Sequence, residues 1–328
     1  MKAVWYENTG DADEVLVYGD MARPIPENGE VLVRLHTSGV NPSDVKSRAG
    51  ARGELAFGRV IPHSDGAGII ESVGEGVNSH RVGERVWIWN GAWARAFGTC
   101  AEYIAVPSEQ AVFLPDNVGY EEGACLGIPA STACHGVFSD GNVEGKTVLV
   151  TGGAGAVGFY AIQFARLGGA KVITTVSGPE KAAYAEAAGP DAIFNYTERD
   201  VAAYILDATG GKGVDRIVEV EFGGNLEVTN KVLRTNGVIA AYGSMAKMEP
   251  ALPFYPMMFK GITLRMYLVY LLSTVDRQKT IQGVNKMIAG GNIKHAVTRT
   301  FPLEDAASAH KAVESNKING NVVVRVKL

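Results

Sequence analysis

The stretch Val148-Leu149-Val150-Thr151-Gly152-Gly153-Ala154-Gly155-Ala156-Val157-Gly158 decides how this chain is read. A short apolar run meets a cluster of glycines, and Val157, Tyr160, Ala161, Phe164, Ala165 and Leu167 follow at helical spacing. Gly153, Gly155 and Gly158 satisfy G-x-G-x-x-G between a predicted strand and a predicted helix. In that setting one glycine makes the tight turn, one lets the backbone approach a pyrophosphate, and one packs helix against strand. Amide N–H groups at the helix start, with the helix dipole behind them, hold the phosphate oxygens. A glycine turn that binds nothing would carry the same letters, so the surroundings of the motif decide.

Outward from the motif, strands are predicted at 172–176, 192–194, 216–220, 238–242 and 262–264, with helices near 181–188 and 201–208. This alternation predicts an α/β fold with a doubly wound parallel sheet, and near-continuous apolar strands suit a sheet covered on both faces. Residues 1 to about 120 read differently: runs at 31–36, 68–73 and 85–89 lie between Gly, Pro, Asn and Asp. They predict a compact, β-rich antiparallel domain. Helices near 274–289 and 303–315 precede a last strand at 322–326 that could complete either domain. Two domains also suit 328 residues at roughly 150 per domain.

Composition removes several classes of function. Lys plus Arg number 31 against 35 Asp plus Glu, a net charge of −4, which is no footprint for nucleic acid or an anionic membrane. No apolar run reaches the length of about 18 residues that a spanning helix needs. The first seven residues lack the apolar core of a secretory signal, so a cytoplasmic location is expected. Cys100, Cys125 and Cys134 form no C-x₂-C pair and read as small buried hydrophobes. His63, in Pro62-His63-Ser64-Asp65, reads as a histidine in a polar loop, and no metal site is expected.

The end of the second predicted strand chooses among dinucleotides. An NAD site places Asp or Glu there, about 20 residues past the glycines, to bond the ribose 2′-OH. This chain has Ser177 instead, with Lys181 within one turn. A hydroxyl and an ammonium suit a 2′-phosphate, so NADPH is the expected cofactor. The same letters form a capping box, with Ser177 as the cap, Glu180 three residues on and Pro179 in the first turn.

Three segments, 38–44 (SGVNPSD), 62–74 (PHSDGAGIIESVG) and 152–158 (GGAGAVG), occur in an order that resembles the zinc-independent quinone oxidoreductase (zeta-crystallin-like) branch of the medium-chain dehydrogenase/reductase superfamily. The resemblance runs the length of the chain. It implies a GroES-like β-rich catalytic domain over 1–124 and 268–328 and a Rossmann domain over 125–267. It further implies NADPH as hydride donor and a quinone or conjugated carbonyl as acceptor. A homodimer or homotetramer would form through sheet edges, the run 261–268 being similar to the pairing strand. Asn41, Ser64-Asp65 and Ile128 stand where zinc-dependent relatives carry ligands.

By the same resemblance, Ser177, Lys181 and Tyr196 surround the 2′-phosphate, while Gly153, Gly155, Ala156, Val157 and Gly158 hold the diphosphate. Gly243 and Ser244 form the loop after the fifth strand. Met266, Tyr267, Leu268 and Asn321 approach the nicotinamide, and Asn41 and Thr132 line the reaction cleft. Lys46 and Arg52 depart from the pattern, since relatives carry aromatic residues there. Two such cations would polarise a carbonyl or attract an anionic acceptor, or else are solvated loop charges. The chemistry expected is hydride transfer to a quinone, with oxygen charge met by Asn41 or a neighbour and Lys46 as proton source. Reduction of an enone or enal, and NADPH binding without turnover as in a lens crystallin, are the rival readings.

Overall fold

The computed structural model describes residues 1–198 and 200–326. The chain forms two compact units, Met1–Ile128 together with the segment from His295 onward, and Pro129–Lys294.

In the first unit, β1 (Lys2–Trp5), α1 (Ala12–Val15) and β2 (Val17–Asp20) make a small hairpin-like pair. The spine is β3 (Glu30–Val40), followed by α2 (Pro42–Arg48), β4 (Asp65–Val73), β5 (Arg85–Ile88), β6 (Tyr103–Pro107), β7 (Ala111–Phe113) and α3 (Tyr120–Gly123). Strand β3 pairs antiparallel with both β4 and β6, and its alternate residues Val31, Val33 and Leu35 enter a core with Ile70, Val86 and Ile104. Alternation of this kind is what one buried face of an antiparallel sheet requires.

The second unit runs α4 (Ser131–Phe138), β8 (Thr147–Val150), α5 (Ala156–Leu167), β9 (Lys171–Val176), α6 (Pro179–Glu186), β10 (Ala192–Asn195), α7 (Val201–Ala208), β11 (Val214–Glu219), α8 (Phe222–Val232), β12 (Leu233–Ala241), α9 (Phe254–Phe259), β13 (Thr263–Met266) and α10 (Thr274–Ala289). All six strands are parallel, in the order β10-β9-β8-β11-β12-β13. The order reverses beside β8, the switch point at which doubly wound sheets bind ligands. Val148, Leu149 and Val150 are buried, each apolar side chain contributing about 1.5–3 kcal/mol.

The chain then returns to the first unit with β14 (Val297–Pro302), α11 (Ala306–Glu314) and β15 (Asn321–Arg325). Strand β15 pairs antiparallel with β3, Val322 opposite Val40, so the last strand completes the β-rich sheet.

The division differs from the expected return to the catalytic domain at residue 268. Residues 268–294 stay with the parallel sheet. The reason is α10, whose Arg277, Thr280, Val284 and Ile288 are buried and which packs on α4 so closely that a Cβ at Gly283 would lie 2.7 Å from Cys134 Sγ. At the end of this segment Gln163 acts like a strand partner: its Oε1 accepts from Lys294 N–H (2.7 Å) and its Nε2 donates to Lys294 C=O (2.9 Å).

Candidate functional site

The glycine loop joins β8 to α5 at the switch point. Its sharp turn falls on Gly152, the only one of its glycines with a left-handed φ (+69°). Gly153 and Gly158 are fixed by space. A Cβ at Gly153 would stand 2.2 Å from Thr174 Oγ1 on β9, and one at Gly158 would stand 2.3 Å from the Gly152 carbonyl oxygen. Gly155, the N-cap of α5, is exposed, and a Cβ there would meet nothing nearer than the Gly152 oxygen at 3.3 Å. The half-exposed Ala156 and Val157 begin the helix, whose first amide N–H groups have no partner within it. Gly155 therefore opens a cradle toward solvent above a helix N-terminus, the arrangement that receives a diphosphate.

The loop is held from behind by a carboxylate that the sequence reading treated only as part of a strand. Glu219, at the end of β11, is fully buried, and its Oε1 accepts from Thr151 Oγ1 (2.7 Å), Glu221 N–H (2.7 Å) and Asn225 Nδ2 (2.9 Å). Burial pushes its pKa up, against these hydrogen bonds. Glu221 does the same for the loop after β12, accepting at Oε2 from Met245 N–H (2.7 Å) and Ala246 N–H (2.9 Å). Ser244 Oγ accepts from Gly223 N–H (2.9 Å) and donates to Lys247 C=O (2.6 Å), while Gly243 C=O accepts from Phe222 N–H (2.9 Å). The signal for Glu219 was an acid directly after the apolar pair Ile217-Val218, at the strand's C-terminal end.

At the end of β9, Lys181 Nζ donates to Ser177 Oγ (2.9 Å), and neither is fully buried. The N-cap of α6 is Gly178, without a side-chain cap, which corrects the capping-box reading of Ser177. Its hydroxyl faces the lysine because the helix starts one residue later than that reading requires. Tyr196, just past β10, is 53% exposed.

A cavity of about 550 Å³ lies beside β12 and β13, and its lining includes His135, Phe222, Tyr242, Gly243, Ser244, Met266, Tyr267, Leu268 and Leu271 together with the charged Arg265 and Asp276. Tyr267 donates its hydroxyl hydrogen to Thr132 C=O (2.8 Å), and its ring lies 4.9 Å from that of His135. Thr132 itself sits buried on α4. The second unit thus gathers the glycine loop, Ser177 with Lys181, and the residues of this cavity.

Asn41, Lys46, Arg52 and Asn321 belong to the first unit. Asn321 opens β15, and its Nδ2 donates to Ala296 C=O (3.3 Å). Asn41 is the N-cap of α2 in a reciprocal capping box with Asp44, whose Oδ2 accepts from Asn41 N–H (2.8 Å). Its Nδ2 donates to Asp65 Oδ2 (2.9 Å). Burial pushes the Asp44 pKa up to about 7, against the Asn41 backbone N–H and the charge of Arg52. Lys46 lies half-buried on the last turn of α2, and Arg52 is exposed just beyond it. His63, expected as a histidine in a polar loop, lies in the loop before β4 but away from solvent. It is fully buried with φ +76°, its Nδ1 is 2.8 Å from Ser38 Oγ, and its Nε2 is 2.9 Å from Nε2 of the buried His310.

Comparison with known proteins now decides the family. The alcohol dehydrogenase GroES-like domain family matches residues 27–116, and the zinc-binding dehydrogenase family matches residues 156–289. A quinone oxidoreductase of Rattus norvegicus is 30% identical, over 95% of this chain and 94% of its own. The chain belongs to the quinone oxidoreductase branch of the medium-chain dehydrogenase/reductase superfamily. A 2-haloacrylate reductase of a Burkholderia species is 29% identical over 91% of both chains. A mycobacterial protein solved in complex with NADPH superposes with a TM-score of 0.86 at 29% identity, covering 99% of this chain and 100% of that one. The protein is thus an oxidoreductase with a GroES-like unit and a Rossmann-type dinucleotide unit.

Zinc, named by one of the two matching families, does not fit the residues present. The side chain of Asn41 is spent on Asp65 and its own capping box, Ser64 and Ile128 are no ligands, and among the described residues no three His, Cys, Asp or Glu gather as a metal site. Cys100, Cys125 and Cys134 are all buried, and burial pushes each thiol up. Among the described residues no helix is long and apolar enough to cross a membrane.

Proposed function

We propose that this protein is a zinc-independent, NADPH-dependent quinone reductase. The end of β9 carries the cofactor half of this reading. Where a carboxylate would bond the ribose hydroxyls, Ser177 and Lys181 form a hydroxyl–ammonium pair beside the exposed Tyr196. That pair suits a phosphorylated adenosine ribose and repels nothing on it. The cradle at Gly155 fits the diphosphate by space and by dipole. Reduced nicotinamide, once bound, supplies the hydride.

The remaining roles fall to the chain. Gly243, Ser244, Met266, Tyr267 and Leu268 border a cavity whose volume, about 550 Å³, lies in the range of small-ligand pockets and whose aromatic walls suit a flat ring. Thr132 anchors the Tyr267 hydroxyl. Asn321 fixes the start of β15, and Asn41 ties the N-terminus of α2 to Asp65, so both act by position. Lys46 and Arg52 supply positive charge for the oxygen of the reduced acceptor, with Lys46 the proton source. The open edge at β13 supports a homodimer or homotetramer.

The test follows NADPH absorbance with 1,4-benzoquinone, 9,10-phenanthrenequinone and 2-alkenals before and after dialysis against a chelator. Quinone turnover that survives dialysis is the expected result. Preference for alkenals would favour reduction of a conjugated carbonyl instead, a reading that the likeness to a 2-haloacrylate reductase supports. NADPH binding without turnover would favour a holding role. Lys46→Met should lower turnover several-fold with NADPH affinity unchanged. Equal turnover removes Lys46 from the mechanism.

A further inference from the structure

Four buried side chains of the first unit make a chain of hydrogen bonds whose direction can be worked out atom by atom. Thr99 Oγ1 lies 2.5 Å from Asp65 C=O and 2.7 Å from Ser38 Oγ. A carbonyl oxygen only accepts, so the single Thr99 hydroxyl hydrogen goes to Asp65. Ser38 must then donate to Thr99 and accept from His63 Nδ1–H, 2.8 Å away. Fully buried imidazoles are held neutral by desolvation, and a neutral ring carries one N–H. His63 Nε2 is therefore a bare acceptor, and His310 Nε2–H donates to it across 2.9 Å. That leaves His310 Nδ1 as an acceptor. It is a buried atom with no hydrogen-bond partner.

A complementary atom stands on the facing helix. Arg48, on α2, is 1% exposed, and α2 packs against α11, which carries His310. Its two terminal nitrogens donate to the Gly10 carbonyl and to Glu314, but the buried Nε–H has no partner. The charge of Arg48 is felt at His310. An unmatched donor and an unmatched acceptor, each buried, cost stability unless something joins them. The left-handed backbone at His63 points the same way, because such strain persists in a buried non-glycine residue only where its surroundings hold it.

We infer that one buried water molecule accepts from Arg48 Nε–H and donates to His310 Nδ1. It completes a one-way hydrogen-bond chain from that guanidinium through both histidines to the carbonyl oxygen of Asp65. A water needs two or more polar partners in such a place, and the chain offers one of each kind. Every link points the same way, so each polarises the next from a fixed cation. The chain ends on the residue whose carboxylate holds Asn41, and it joins α11, α2, β3 and the start of β4 into one piece.

The test uses the full chain with ¹⁵N-labelled histidine at neutral pH, together with a high-resolution crystal structure. Long-range ¹H–¹⁵N spectra should show His63 as the Nδ1–H tautomer and His310 as the Nε2–H tautomer. Density should show one water within hydrogen-bond distance of Arg48 Nε and His310 Nδ1. Opposite tautomers, a direct Arg48–His310 contact, or no water there would overturn the inference. Two variants probe the direction. In Thr99→Val the anchor is gone, and His63 should lose its single tautomer. In His310→Phe the anchor remains, and the His63 tautomer should persist while the water is lost. Should Thr99→Val fail to fold, the spectra and density of the unmodified protein decide alone.

Discussion

The glycine turn at 152–158 and the buried chain around His63 are both devices for fixing one part of the backbone, built in opposite ways. The turn uses seven consecutive residues, absence of side chains and the ends of a strand and a helix. The chain uses side chains from residues 38, 63, 99 and 310, brought together by β3, the loop before β4, the loop before β6 and α11. A local device leaves a contiguous imprint in the sequence. A device assembled across more than two hundred residues leaves single letters that resemble chance.

Substitutions at the turn itself should give the largest effects and separate its two functions. Gly158→Ala puts a methyl against the Gly152 carbonyl, so the unit should lose both dinucleotide binding and most of its cooperative melt. Gly155→Val puts a side chain into the exposed cradle, where its Cβ meets only the Gly152 carbonyl oxygen at 3.3 Å, so the melting temperature should fall far less than in Gly158→Ala while NADPH affinity drops a hundredfold or more. Equal melting and binding losses in both variants would erase the distinction between a packed and an open glycine.

Glu219 is next, a side-chain device serving the local one. Glu219→Leu leaves Thr151, Asn225 and the Glu221 N–H without their acceptor and should cost about 3 kcal/mol in urea unfolding. Glu219→Gln keeps an acceptor oxygen and should cost about 1 kcal/mol or less. At the cofactor's far end, Ser177→Asp should shift the ratio of NADPH to NADH affinity by at least about tenfold, near 1.4 kcal/mol, toward NADH. Unchanged preference would put selectivity outside the pair with Lys181.

The last effect concerns Asp44 and varies with pH. Its carboxyl titrates near 7 when folded and near 3.8 when unfolded, so the folded state holds the extra proton between those values. Stability from this group is complete below about pH 4 and is lost as pH rises through 7. Asp44→Asn should therefore melt close to the parent at pH 4 and gain about 1–2 kcal/mol over it at pH 8, less than the full shift because the site relaxes. A difference that does not vary with pH would mean that the side chain is ionised throughout.

The same contrast explains how much was legible. The alternation of strands and helices from residue 147 onward led to the parallel sheet, because each βα unit carries its own pattern. Within the glycine loop the sequence offered four glycines, and only the positive φ of Gly152 reveals which one turns the chain. The partner of α10 was hidden, since an amphipathic stripe says that a helix packs and not on what. His63 was hidden for the same reason, its partner lying 247 residues away. The capping box that Ser177 and Glu180 spell as an alternative does not form, because the boundary of α6 lies one residue further on.

Gln163 has a consequence for how this architecture tolerates change. By gripping the amide and the carbonyl of Lys294 at once, one glutamine does what an extra strand would otherwise do, and it does so at the last residue before the chain changes units. The spacer between α10 and that grip, residues 290–293, is thereby freed from pairing duties of its own. Lengthening the spacer should be absorbed as surface slack, whereas severing the grip would leave the crossover without a mooring.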